Sequence, residues 1–483
     1  MVRSLYESLC NMESIYADRA AIRYFDEASA QVVEIPYRRY AADLRRFVAF
    51  VRSKTSQPGQ RIALLARNSY QYVIALYGSA LAGAVAVPLN WNKTWDEIRY
   101  ELELTDPVCI LQDGEYLDRE PALAQQFGEK LADIGAFAAF DPALDVAEQP
   151  DLNALAFIMF TSGTTGRSKG VMMSQANLFG AMPAFLDPFD DMQRITGWSL
   201  DGFCSLSALP MFHISAMTSL VSWSLKGLAV NLCNDLKYFY RDLAAMPSDV
   251  MAVVPVLLKS IYKDVMKGRR ERLGGLRVLT CAAAMFDRKM LLDLMDKGFF
   301  IAQMYGLTET CGDGAYNTSQ EEKYLSSVGK MDPNLRFKLE DGELCIQGQP
   351  VMLGYYKEPE ATAEVLDAEG WFHTGDLAQV TEEGYLYLTG RKKNLIILDS
   401  GENVSPEELE KKLSACPDIR ECLVKEQDKK ICAVICCEDA SQEAVRGFVT
   451  QLNRSLPMYQ RITTLEFTSQ PLPRNAAGKL ERK

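Results

Sequence analysis

Residues 161–170 read TSGTTGRSKG and combine three glycines, five hydroxyl side chains, Arg167 and Lys169. Glycine lets a backbone turn sharply and bring its N–H groups close to a ligand. Hydroxyls and a cation beside such amides suit the oxygens of a phosphate. The apolar run 155–160 leads into the tract and reads as a buried strand. The tract is not a GxxxxGK(S/T) loop, because Ser168 falls where the second glycine would stand when counted from Gly163. A polar surface loop is the plain alternative. A second candidate, YGLTET at 305–310, follows a strand-like run, at the place where ligand crevices open in α/β sheets. An aromatic can stack on a base, a threonine can bond a phosphate oxygen, and a glutamate can hold a hard cation. Many strand-to-loop junctions carry the same residue types without binding anything. GWFHTGD at 370–376 sets an aspartate, with its two acceptor oxygens, in what is otherwise a turn. In PLPRNAAGKLERK, Lys479 read alone is a solvated charge. His213, in LPMFHISA, and His373 are the only histidines. The first reads as a satisfied core residue or as one wall of a binding site, the second as structural or surface.

Taken in this order, the tracts resemble the motifs of the adenylate-forming superfamily, which includes acyl-CoA synthetases, aryl-CoA ligases, luciferases and peptide-synthetase adenylation domains. The resemblance covers nearly the whole chain, with the first 150 residues contributing fold but little motif. It implies that Thr161, Ser162, Gly163, Thr164, Thr165, Gly166 and Lys169 cradle the phosphates of ATP. It implies Tyr305, Gly306, Ala283 and Ala284 at the adenine, Thr308 at the α-phosphate and Glu309 as the Mg²⁺ carboxylate. Asp376 would accept both ribose hydroxyls, with Arg391 as its partner. Phe212, His213 and Gly306 would border the substrate carboxylate. Lys393 would be the hinge, Gly401 of SGENVSP would line the tunnel for the coenzyme A thiol, and Lys479 would stabilise charge at the α-phosphorus. Three departures stand out. Ser168 replaces a usual proline, which should loosen the loop. Residues 282–285 read AAAM where the family has a Gly-Gly-Ala-Pro type segment. Residues 424–431 form a tight turn where many relatives carry an insertion, which bears on the surface receiving coenzyme A or a carrier protein.

The implied reaction is ATP-dependent activation of a carboxylic acid, a fatty acid in the first instance, to an acyl-adenylate, followed by transfer to coenzyme A. GRKKNLIILDSGENVSPEELE looks most like fatty acyl-CoA synthetases, whereas LPMFHIS and YGLTETC look equally like o-succinylbenzoate-CoA ligase. Loading of an acyl carrier protein is a second reading. A nucleotide-binding regulator without turnover is a third, opposed by the joint presence of Glu309, Asp376, Arg391 and Lys479.

The elements that must position these residues alternate in period. Helical faces at 39–51, 70–81 and 95–104 alternate with strand-like runs at 62–66, 85–88 and 108–111, and further strands are expected at 205–209, 229–232, 250–254, 276–281 and 300–304. This order predicts an α/β fold with largely parallel strands. From about residue 338 the pattern turns to hairpins with Asp341-Gly342 and Glu383-Gly384 at the bends. The division expected is a large N-terminal domain of layered α/β subdomains plus a β-rich segment (1–389), a hinge (390–394) and a small mobile α+β domain (395–483). The net charge of −12 argues against nucleic acid as partner. Twelve cysteines without a CxxC pair read as reduced core thiols of a cytoplasmic protein. Neither a signal peptide nor a membrane span is expected.

Overall fold

The computed structural model describes residues 2–142, 145–148, 151–161, 167–282, 286–397, 403–427, 430–474 and 480. The chain divides into two compact units, one of residues 1–336 with 346–372, the other of 337–345 with 373–483. Among the described residues no helix is long and apolar enough to cross a membrane.

The first unit is built on two sheets. In the seven-stranded one, Leu155–Thr161, Val85–Pro88, Arg61–Leu65, Cys109–Gln112 and Leu131–Asp133 run parallel, each βα step burying its helix against the sheet. Helix Tyr37–Lys54 presents Tyr40, Leu44, Phe47, Val48 and Val51 inward, the face its period predicts. It packs on helix Tyr70–Leu81 at Gly78, where an added Cβ would lie 2.6 Å from the Phe47 ring. The close crossing therefore needs that glycine.

The nine-stranded sheet has a parallel centre, with Phe300–Gly306, Val278–Cys281, Val250–Val253, Cys204–Ser207, Ala229–Leu232 and Ala20–Asp26 adjacent in that order. Its margins are antiparallel. Gly314–Asn317 turns back along Phe300–Gly306, and Gln31–Pro36 closes a hairpin on Ala20–Asp26. This last hairpin carries no clear alternation, because Gln31–Pro36 is exposed or half-buried along its length.

In the second unit, Asp341 and Gly342 both have positive φ, 50° and 80°, the pair of signs that a two-residue hairpin turn matching strand twist requires. They join Arg336–Glu340 to Glu343–Gln347, and Phe372–Val380 with Leu386–Arg391 completes a four-stranded sheet. Glu421–Gln427, Lys430–Cys436 and Thr464–Thr468 form a further sheet. Helices Pro406–Leu413 and Gln442–Ser455 cover it, burying Leu409, Leu413, Val445 and Val449 against Val424 and Ile435. The tract 390–394 is the end of a strand followed by the 3-10 helix Lys392–Asn394, inside this unit. The hinge expected at 390–394 concerns motion rather than compactness. All twelve cysteines are free thiols, eleven of them buried, as their composition predicts.

Candidate active site

Leu155–Thr161 pairs antiparallel with Lys169–Ser174, Thr161 facing Lys169. The strands that flank the glycine-rich tract are thus antiparallel neighbours, unlike the strand-to-helix order around a Walker loop. Thr161 and Lys169 sit at the ends of these strands, with the Thr161 hydroxyl 3.5 Å from the Lys169 carbonyl oxygen. Of the residues named from the sequence, Ser162, Gly163, Thr164, Thr165, Gly166, Ala283, Ala284, Gly401 and Lys479 lie outside the described residues.

Ser168 is itself held in place. It is buried, and the Lys93 ammonium donates to its hydroxyl over 2.8 Å while pairing with Glu101, which is fully buried. Proline could not accept that bond. Burial pushes the Glu101 carboxyl above its usual range, against the pull of Lys93. Removing Lys93 alone leaves a buried carboxylate without its cation. Lys93→Met is therefore expected to destabilise the fold by about 3–5 kcal/mol in urea titration, and Lys93→Met with Glu101→Leu to recover most of it. Equal losses in the single and double variants would contradict the pairing.

Glu309 lies on the 3-10 turn Thr308–Thr310 that follows strand Phe300–Gly306. The turn is tight: a Cβ on Gly306 would come within 2.0 Å of the Gly312 carbonyl oxygen, so this motif glycine admits no side chain. Tyr355 donates its hydroxyl to Glu309 Oε1 at 2.9 Å, and the Lys169 ammonium stands over the Tyr355 ring at 4.9 Å. Backbone pairing brings these three residues together. Gly354–Tyr355 adds as a short strand to Lys169–Ser174, with Tyr355 opposite Val171, and the Met352 N–H donates to the Glu309 carbonyl. Burial, with the Glu309 carboxylate second, raises the Tyr355 phenol well above its ordinary value, so it remains a donor. Among the described residues Glu309 forms no ion pair. A half-buried carboxylate with one oxygen bound by Tyr355 and no cationic partner fits a hard divalent cation.

A Cβ on Gly312 would meet Phe185 at 3.2 Å, and Phe185 lines a cavity of about 90 Å³ above the nine-stranded sheet. Its floor is one face of the parallel strands, read at period two. The row Ser205, Val250, Val278 and Phe300 lies nearer the strand starts, and Ser207, Ala252, Thr280 and Ala302 follow two residues on. Helix Met182–Thr196 roofs it with Phe185, Pro188, Phe189 and Met192, spaced three, four and seven apart. Helix Ile214–Leu225 adds Ser215, Ser219 and Trp223, and Trp223 meets Phe189 edge-on with ring centroids 5.0 Å apart. Met304, one residue before Tyr305, lines the cavity at the strand ends. His213 is exposed at the start of helix Ile214–Leu225, its ring 4.6 Å from that of buried Phe212; neither residue lines the cavity.

In the second unit, Asp376 and Arg391 are directly opposed across two strands, with Arg391 Nε 2.7 Å from Asp376 Oδ1. The Thr374 hydroxyl accepts from the Asp376 N–H and donates to the Leu344 carbonyl. His373 Nδ1 lies 3.4 Å from Cys345 Sγ and 3.5 Å from Glu343 Oε2, the carboxylate that Lys392 also pairs with at 2.7 Å. Atoms of Glu340, Cys345 and His373 fall within 4.8 Å of one another, a grouping invisible as spacing in the sequence. Burial raises the Cys345 thiol to about 11, and Lys392 already supplies the positive charge beside it.

A family profile described as AMP-binding enzyme matches residues 14–356. The chain belongs to the AMP-binding enzyme family. Curated relatives of this AMP-binding enzyme include the long-chain-fatty-acid–CoA ligase FadD13 of Mycobacterium tuberculosis, 27% identical over 451 residues with 87% of this chain and 86% of that protein covered. The 2-succinylbenzoate–CoA ligase of Bacillus licheniformis is 29% identical over 444 residues, covering 88% of each. Among solved structures, o-succinylbenzoate CoA synthetase of Bacillus subtilis in complex with its acyl-adenylate intermediate superposes with a TM-score of 0.80 at 24% identity, covering 98% of this chain and 96% of that one. The same synthetase with ATP and magnesium ion gives 0.80 and 24%, covering 98% of each chain. These structures share the fold expected from the sequence, a large N-terminal α/β part followed by a smaller C-terminal one.

Of the site residues expected in this AMP-binding enzyme, the first unit brings Thr161, Lys169 and Glu309 into one neighbourhood through Tyr355, and sets Tyr305, Gly306 and Thr308 along the same strand end. The second unit pairs Asp376 with Arg391. Tyr355, Lys93 and the cavity floor were not read from the sequence. Only the tyrosine pair 355–356 following a glycine offered a local hint.

Proposed function

We propose that this protein joins a carboxylic acid, a fatty acid, to the thiol of coenzyme A in two steps. A carboxylate oxygen attacks the α-phosphorus of ATP, forming the acyl-adenylate and releasing pyrophosphate. The coenzyme A thiol then attacks the acyl carbon, releasing AMP and the thioester. The observation that carries this reading is the apolar cavity opening beside the Tyr305–Glu309 turn, where Phe185 lines it next to Gly312. A nucleotide motif and an uncharged apolar cavity at the same strand ends suit activation of an apolar acid.

Each residue then has a defined task. The amides and hydroxyls of 161–166, with Lys169, hold the phosphates and orient the α-phosphorus for in-line attack. Tyr355 fixes one oxygen of Glu309 and so aims the other. Mg²⁺, when bound, neutralises charge on the phosphate oxygens. Asp376 accepts the ribose hydroxyls while Arg391 holds its orientation. Lys479 stabilises the negative charge that grows between carboxylate and phosphorus. His213 and Phe212 border the carboxylate, Lys393 serves as the pivot between the two half-reactions, and Gly401 lines the path of the thiol. A 2-succinylbenzoate-type acid is the second reading, favoured by the 29% identity to a ligase of that name.

Asp376→Ala is expected to weaken ATP binding by about 1.5–3 kcal/mol, the range for hydrogen bonds to a charged group, and to spare thioester formation from supplied acyl-adenylate. Unchanged ATP affinity by titration calorimetry would confine Asp376 to the turn. The overall reaction is tested by supplying ATP, Mg²⁺ and a fatty acid, with coenzyme A or a phosphopantetheinylated carrier protein as acceptor. The expected products are acyl-CoA, AMP and pyrophosphate in equal amounts. Formation of ADP, or acylation of the carrier alone, would contradict this reading.

A further inference from the structure

We propose that the cavity over the nine-stranded sheet restricts the substrate to monocarboxylic acids with an uncharged alkyl tail of medium length, rejecting acids with a second charge. The proposal rests on the adenylation reading above, which places the reacting carboxylate at the strand ends.

Charge is the first constraint. Among the described residues, none that lines the cavity is acidic or basic. A second carboxylate entering it would be buried without a cation, which apolar packing does not offset. The hydroxyls of the roof do not replace a cation, since Ser219 and Ser222 donate to the carbonyls of Ser215 and Ser219 within their own helix.

Width is the second constraint. An extended alkyl chain follows the lane left by the small side chains of Ser207, Ala252, Thr280 and Ala302, beneath Phe185, Phe189 and Met192.

Length is the third. Helix Ile214–Leu225 begins where strand Cys204–Ser207 has ended and finishes where strand Ala229–Leu232 begins, so Trp223 lies over the strand starts. There it joins Phe189, Val250, Val278 and Phe300 in closing the lane. From Met304 at the open end to Phe300 is four residues of strand, about 13 Å at ~3.3 Å per residue. A medium-chain tail fits that depth, and a long-chain tail overruns it.

The test is pyrophosphate release from ATP with octanoate, palmitate, benzoate, succinate and 2-succinylbenzoate. Octanoate is expected to exceed the two diacids in kcat/KM by at least about 100-fold, the scale on which a pocket separates acids it fits from acids it does not. Ala302→Leu narrows the lane and should move preference from octanoate toward butanoate by about 10-fold. Phe300→Ala lengthens the lane and should move preference toward palmitate. Best turnover with a diacid or an aryl acid, or the absence of opposite shifts, overturns the proposal and leaves adenylation standing. Pyrophosphate release with none of the acids removes the adenylation reading instead. Binding then decides the cavity by thermal shift without ATP: stabilisation by octanoate and not by succinate supports it, and no stabilisation by octanoate overturns it.

Discussion

Glu309→Gln lowers acyl-adenylate formation by about 100-fold or more, the loss expected when one preorganised electrostatic stabiliser is removed from a site of charge development. The substitution keeps the shape of the side chain and leaves an oxygen to accept from Tyr355, so the turn Thr308–Thr310 should persist. What disappears is the negative charge that suits a hard cation. The effect should fall on kcat rather than on thermal stability. Tyr355→Phe supplies the control, because it frees the carboxylate without discharging it and should cost far less. Measured pyrophosphate release at saturating Mg²⁺ decides the matter. Near-normal turnover of Glu309→Gln would place the metal elsewhere.

The second large effect separates the two half-reactions. Lys479→Ala should all but abolish acyl-adenylate formation, by roughly 100-fold or more, and leave thioester formation from supplied acyl-adenylate nearly intact. Lys393→Pro should show the reverse asymmetry. Lys392–Asn394 forms a 3-10 turn, whose φ near −60° a proline can adopt. The variant is therefore compatible with this backbone, while a swing that requires a different φ at residue 393 would be obstructed. Both half-reactions are measured for both variants, with thermal melts to confirm folding. Equal loss of both steps in Lys479→Ala would remove the alternation of the small domain from the mechanism.

Much of the fold was legible because each element carries its own signal. Helix Tyr70–Leu81 and strands Val85–Pro88 and Ala229–Leu232 fall where hydrophobic period and flanking turn residues put them. The Asp341-Gly342 bend is written in two residues that tolerate positive φ. The candidate site was legible as a set of local tracts but not as a constellation. Tyr355 reaches Glu309 only because a two-residue strand adds to the edge of strand Lys169–Ser174, and Lys93 reaches Ser168 across 75 positions of sequence. The cavity floor is harder still. Ser207, Ala252, Thr280 and Ala302 stand on four separate strands, and it is the sheet register that gathers their small side chains into one lane. No single stretch of sequence carries that information, and the substrate tail would be read by it.

The most direct test of the adenylation chemistry follows one oxygen atom. Octanoate labelled with heavy oxygen in its carboxylate is incubated with the enzyme, ATP, Mg²⁺ and coenzyme A, and the nucleotide product is analysed by mass spectrometry. Attack of the carboxylate on the α-phosphorus transfers one labelled oxygen to AMP and leaves one in the thioester. Label recovered in inorganic phosphate, in pyrophosphate, or in no phosphorus-containing product would contradict an acyl-adenylate intermediate.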